Sequence, residues 1–176
     1  LPLSAASHVD VVKMRTENRV NPLGIGTSTP RFSWQITSDR KGVVQTSYQI
    51  LVASSREKLD RNEADLWDSG ERNSDEQLWI PYQGKALLSG AQAYWKVRIT
   101  TNKGKSEWTE PQLFTIGLLG ETKWSGTWIG LEDLQPGEQK GMHTRLAARY
   151  IRKDFAAKGK VKRALAYVAG LGVYEF

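Results

Sequence analysis

The chain has 176 residues, of which 39% are hydrophobic, 25% charged and 10% aromatic, the balance of a folded globular protein rather than a disordered one. It contains no cysteine, which excludes disulfides and thiolate metal sites, and no apolar run of the ~18 residues that could span a bilayer. Much of its net charge of +6 sits between Arg145 and Arg163. No helix-turn-helix, zinc-finger or RNA-binding aromatic motif accompanies that excess, so it reads as a solvated strand face and not as a nucleic-acid interface.

The chain opens on Leu1–Ser7 (LPLSAAS), small and apolar, read as a signal-peptide remnant or a disordered end. Val9–Thr16 is an outer strand. Asn21-Pro22 and Thr29-Pro30 then bracket a loop containing Gly24 and Gly26. Arg31–Ser38 (RFSWQITS) alternates, with Phe32, Trp34 and Ile36 on one side. Asp39–Gly42 turns the chain into Ser47–Ser55 (SYQILVASS), a run of β-formers. Ser55–Ala64 (SREKLDRNEA) has helix-like composition over about two turns. After a turn at Asp68–Gly70, the next strong strand is Tyr94–Thr100 (YWKVRIT). Trp95, Val97 and Ile99 face one way there, and Lys96, Arg98 and Thr100 the other, as in an antiparallel strand with one wet face. A turn at Asn102–Gly104 precedes a last outer strand, Gln112–Ile116.

Frequent short strands in residues 8–117 predict an antiparallel sandwich of the fibronectin type III or immunoglobulin kind, with Trp34, Ile50, Val52, Trp95, Val97 and Ile99 in its core. A corner tyrosine is common in such folds; here either the corner is absent or Tyr94 substitutes for it from a position shifted by one. Residues 118–145 read as connector and loop, with Trp124 and Trp128 marking the connector as packed and Leu131–Gly141 as an exposed loop. Residues 146–176 supply two strands, Ala148–Phe155 and Val161–Phe176, joined at Lys158-Gly159-Lys160. In the second of these, Leu171 and Val173 favour one face, with Gly170 and Gly172 between them. The overall expectation is all-β: one sandwich followed by the opening strands of a second, incomplete one, in a sequence truncated relative to its parent.

Chemistry is sparse. The densest acidic patch, Asp65, Asp68, Glu71, Asp75 and Glu76, lies in a polar strand-and-turn region and reads as a solvated face. His8 and His143 support no nucleophilic triad, no His/Asp/Glu cluster has metal-ligand spacing, and Gly24-Ile25-Gly26 lacks the lysine and helix of a phosphate loop. No catalytic residue, metal site or cofactor is therefore assigned. Exposed aromatics are the remaining signal, because sugars stack on aromatic faces. Trp67 and Trp108 read as packing residues, whereas Trp79 and Tyr82 in Gln77–Tyr82 (QLWIPY) are the candidate sugar contacts.

Several segments, in order, resemble the N-terminal region of bacterial α-L-rhamnosidases of glycoside hydrolase family 78. They are Asn21–Ile25 (NPLGI), Pro30–Trp34 (PRFSW), Tyr48–Ser55 (YQILVASS), Asp65–Gly70 (DLWDSG), Tyr94–Arg98 (YWKVR), Gly104–Pro111 (GKSEWTEP) and Phe114–Leu118 (FTIGL). Trp124 and Trp128-Ile129-Gly130 resemble the family's link to its next domain, and Tyr150–Phe155 and Ala166–Glu175 the opening of that domain. The resemblance implies a secreted or periplasmic enzyme that removes terminal L-rhamnose from plant glycans or glycosides by inverting hydrolysis with two carboxylic acids. In that family an (α/α)6 barrel carries the chemistry, and none of its motifs is present here. The implied partners are that barrel and other β-domains of the same parent chain, with rhamnose-containing glycans as ligands. A second reading, from another class, is a carbohydrate-binding or adhesion module that works without catalysis.

Overall fold

Strand alternation becomes layering in the first part of the chain. The computed structural model describes residues 9–120, 124–130, 136–139, 141, 149–170 and 175. The expectations placed on Leu1–Ser7, His8, His143, Leu171 and Val173, and on most of Leu131–Gly141, lie outside the described residues. The chain divides into two compact units, Leu1–Trp124 and Ser125–Phe176.

In the first unit, eight strands and one short helix follow in the order β1 (Val9–Thr16), β2 (Arg31–Ser38), β3 (Gln45–Ala53), α1 (Arg56–Asp60), β4 (Trp67–Asp68), β5 (Ile80–Pro81), β6 (Gln92–Thr101), β7 (Gly104–Lys105) and β8 (Gln112–Thr115). One sheet has the order β1-β2-β5. The other runs β4-β3-β6, and β6 carries β8 along its first half and β7 at its end. Every pairing is antiparallel, from Val9↔Ser38 to Thr16↔Phe32 in the first sheet and from Gln45↔Thr101 to Ala53↔Tyr94 in the second. The β1–β2 register shifts between Val12 and Arg15, around Lys13 at φ +50°. A bulge of this kind bends an edge strand and blunts it as a template for foreign strands.

The inward residues of both sheets form the expected core. Trp34, Ile50, Val52, Trp95, Val97 and Ile99 are each no more than 1% exposed. The Phe32 ring stacks on Trp95 at 4.4 Å between centroids, and Phe114 meets Phe32 edge-on at 5.8 Å. Trp34 brings a polar N–H into this core, and Gln45 satisfies it: indole Nε1 donates to Gln45 Oε1 at 3.0 Å. Gln45 Nε2 in turn donates to the carbonyls of Ser74 and Glu76. A buried amide with all these partners fixes the Ser74–Glu76 segment over the core.

Three expectations need correction. The polar side of β6 is not a wet face: Lys96 is 5% exposed, because α1 and Trp108 cover it. The helix itself is shorter than two turns. Ser55 caps its N-terminus through Lys58 N–H, and Asn62, at φ +59°, ends it after Asp60 by turning the chain left-handed. Leu59, fully buried, packs with Leu51 and Ala53 into a small second cluster on the outer side of the sheet. The corner tyrosine is also not Tyr94, whose Oη only accepts from Gln92 Nε2 nearby. The tyrosine that ties distant backbone together is Tyr82, whose hydroxyl donates to Lys85 O at 2.7 Å with Leu66 O 3.3 Å away.

In the second unit, the expected strands over Ala148–Phe155 and Val161–Phe176 are not formed among the described residues, 149–170 and 175. The bend between them does occur, with Gly159 at φ +83°. A strand exists only within a ladder, and no described residue offers these segments one. Tyr150 and Phe155 stay 94% and 89% exposed. Trp128 is likewise 70% exposed, and Trp124, in the first unit, 49%, so neither is packed as the sequence implied. Within the second unit, Glu138 accepts a two-pronged hydrogen bond from Arg149 at 2.8 and 2.5 Å.

Candidate functional site

The residues with open chemistry gather around Arg31, at the start of β2. Strand alternation turns Phe32 inward and leaves Arg31 on the outer face. Opposite it, β1 ends in a tight turn in which Thr16 and Arg19 exchange backbone hydrogen bonds of 2.9 and 3.0 Å. Glu17 and Asn18 occupy the two central positions at φ +48° and +62°, the left-handed pair that the strand twist selects in a two-residue turn. This geometry aims the Glu17 carboxylate at Arg31. Oε1 accepts from Arg31 N–H at 2.8 Å and from Nε at 3.0 Å, and Oε2 accepts from Nη2 at 2.7 Å. The hydrogen bonds from Arg31 hold the Glu17 carboxyl below its ordinary range, against a smaller upward push from burial. The pair is therefore ionised and planar at neutral pH.

Trp79 lies against this pair, with the Arg31 guanidinium carbon 4.3 Å from its ring centroid. It precedes β5, where Ile80 pairs with Phe32 and points inward. Alternation therefore turns Trp79 outward, and it remains 41% exposed. Its backbone is held at φ +60°, with its N–H donating to Ser33 Oγ at 3.0 Å. A bulky residue in that region is strained, and such strain persists only where neighbours fix it. Beside the pair opens a cleft of about 450 Å3, lined by Glu17, Arg19 and the Pro22–Thr27 loop. That loop is pinned to the second sheet by Gly24 N–H to Thr115 Oγ1 and by the Ile25–Ile116 bridge.

The two predicted sugar contacts separate. Trp79 presents its ring at the surface. Tyr82 is 3% exposed, its ring edge-on to Phe32 and Trp67, and cannot offer a face to a ligand. Its inward position follows from Ile80: two residues on, the side chain faces the same core. Burial, then the negative charge of Asp65, pushes its hydroxyl up to about 12. Trp67 packs on Phe32 and Tyr82, and Trp108 lies under Lys96 and Arg98. Glu17 and Arg31 were not singled out from the sequence. Glu-Asn is an unusual occupant of such a turn, so its sequence carries little signal.

The acidic patch is structural where its contacts are defined. Asp65 receives Lys58 and both donors of Ser54, Asp68 receives Gln49 and Gly70 N–H, and Glu71 receives Ser47 and Thr100. Asp65 and Glu71 are held below the ordinary carboxyl range, opposite to the raised value a general acid needs. Among the described residues no group of His, Asp and Glu could hold a metal ion, and no helix is long and apolar enough to cross a membrane.

Two antiparallel sheets closed over an aromatic core, with no disulfide, define an immunoglobulin-like domain. The model of the Rha78A-like N-terminal immunoglobulin domain matches residues 11–120, and the chain belongs to that family. It is 35% identical to an α-L-rhamnosidase of Formosa agariphila, over 96% of this chain and 19% of that protein. Among solved structures it resembles Streptomyces avermitilis α-L-rhamnosidase complexed with L-rhamnose, at 36% identity and a TM-score of 0.65, over 70% of this chain and 12% of that one. It also resembles α-L-rhamnosidase from Dictyoglumus thermophilum, at 36% identity and a TM-score of 0.64, over 68% of this chain and 14% of that one. The chain thus spans about a fifth or less of the relatives it matches, and is an accessory, non-catalytic segment of an α-L-rhamnosidase-like protein.

Proposed function

We propose that the whole protein hydrolyses terminal α-L-rhamnosides of glycans outside the cytoplasm, and that this segment supports a catalytic domain lying elsewhere in the parent chain. The observation that carries the reading is the 35% identity maintained over 96% of the chain against a rhamnosidase several times longer. The defined carboxylates point the same way, since they are spent on holding strands and turns together. The test is turnover of an aryl α-L-rhamnoside. The whole protein should release L-rhamnose with inversion, and residues 1–176 alone should release none. The reading fails if the whole protein is inert on rhamnosides. It also fails if 1–176 turns the substrate over and one carboxylate substitution abolishes that.

A further inference from the structure

We propose that Trp79, with the Arg31–Glu17 pair on one face of its ring, is a stacking site for a neutral pyranose residue of a glycan. The choice of a sugar rests on the glycosidase parentage proposed above. The platform itself rests on four observations. First, among the tryptophans of residues 9–117 Trp79 is the exposed one, at 41%, whereas Trp34 and Trp95 are buried and Trp67 and Trp108 are engaged in packing. Its ring adds nothing to the core, which is served at this point by Ile80.

Second, the platform is rigid before any ligand arrives. The strained φ of +60°, the bond to Ser33 Oγ and the β5–β2 pairing fix where the ring stands. A pre-fixed ring spares the ordering cost that weakens most exposed aromatic contacts. Third, the guanidinium beside it has donors to spare. Glu17 occupies Nε and Nη2, which leaves Nη1 without an acceptor among the described residues. A pyranose laid on an indole puts its C–H face on the ring and its hydroxyls at the ring's rim, within reach of such a donor. Fourth, Glu17 also lines the 450 Å3 cleft, which gives a neighbouring sugar residue a place to continue.

Charge decides between sugar classes. Among the described residues the charged group set against the ring is Arg31, and Glu17 compensates it. A uronate would find no uncompensated cation at the platform, so the site suits a neutral residue.

The experiment uses the 176-residue chain labelled with 15N, followed through its indole N–H signals. The probes are methyl α-L-rhamnopyranoside, a neutral rhamnose-containing oligosaccharide and an oligogalacturonate. The neutral probes should move one indole signal, the one missing from Trp79→Ala. Trp79→Phe should keep weakened binding, and Arg31→Ala should weaken it roughly tenfold. Trp79→Asn, which tolerates the left-handed backbone, should abolish binding while the other indole signals stay in place, so a folding defect is distinguishable from a lost platform. The proposal is overturned if neither neutral probe shifts an indole, if the shift survives Trp79→Ala, or if the oligogalacturonate binds more tightly than the neutral probes. Hydrolysis by the whole protein without binding here removes the platform and leaves the parentage standing; binding without hydrolysis does the reverse.

Discussion

The two faces of the larger sheet are built by neighbouring residues of the same strands, yet by different physics. On β6, Trp95, Val97 and Ile99 meet the other sheet and are fully buried. Between them, Lys96 and Arg98 face outward and are covered too. Lys96 Nζ donates to Leu59 O at 2.5 Å and to Asn62 Oδ1 at 2.7 Å, and it stands 5.1 Å from the Trp108 centroid. The Arg98 guanidinium lies 4.4 Å from the same ring. The inner face is held by apolar area and shape. The outer face is held by a charged group satisfied by carbonyls under a short helix. Alternation therefore reports the polarity of a face and not its exposure.

The inner face should be the more fragile. Trp95→Ala empties the space between the sheets and should cost about 3–5 kcal/mol in chemical denaturation; a loss below about 1 kcal/mol would show that the sheets can close over the gap. At the rim of the same core, Gly84 is packed so tightly that a Cβ would stand 2.4 Å from Leu66 O and 2.6 Å from Tyr82 Oη. Backbone cannot yield as a flexible side chain does, so Gly84→Ala should cost about 3 kcal/mol. A wild-type melting curve for that variant would mean that the Tyr82–Leu66 junction is looser than its geometry.

Legibility in the sequence follows the same division. β1 and β2 were readable to the residue; in β2 the inward Phe32 and Trp34 are apolar and the ends are marked by Pro30 and Asp39. β4, β5 and β7 were not readable: strands of two residues carry no period. Tyr82 was misjudged because an aromatic beside a proline looks like a loop residue, and only the β5–β2 pairing shows which way it turns. Lys96 was misjudged because its cover comes from Leu59 and Asn62, more than 30 positions earlier. In the second unit, Ala148–Phe155 reads as a strand in the sequence, yet its described residues, 149–155, form none. The pattern names a candidate face, and only a partner makes it a sheet. Of the candidate site, Trp79 was visible and its Arg31–Glu17 support was not, because the support is created by a turn.

The outer face can be loosened at its hinge. Asp65 ties α1 back to the end of β3. Burial alone would raise its carboxyl, but the hydrogen bonds from Lys58 Nζ, Ser54 N–H and Ser54 Oγ outweigh burial and bring it to about 2, from an ordinary 3.8. Stability from this group is fully present above pH 3.8 and is lost as pH falls through about 2. Both partners are about one-third exposed, so screening trims the contribution to about 1–2 kcal/mol. Asp65→Asn should lose that amount at neutral pH, and the gap from wild type should close below pH 3.8. A gap that stays constant to pH 2 would assign the loss to shape instead of charge.

The smallest effect should come from Lys96→Met, because two terms oppose each other. The substitution removes a cation that burial disfavours, and it also leaves Leu59 O and Asn62 Oδ1 without their donor. Near neutral pH the net change should stay within about 1 kcal/mol. The pH dependence separates the terms. Desolvation is the largest influence on Lys96 and lowers its pKa from the ordinary 10.5, with the charge of Asp60 opposing it. Between the lowered value and 10.5 the unfolded chain holds a proton that the folded chain has released. Wild-type stability therefore rises with pH across that window, relative to the variant, which has no proton to release. Denaturation curves for both proteins from neutral pH to pH 10.5 measure this directly. Parallel curves would show that Lys96 titrates as an exposed lysine does, and that the outer face of the sheet is wet after all.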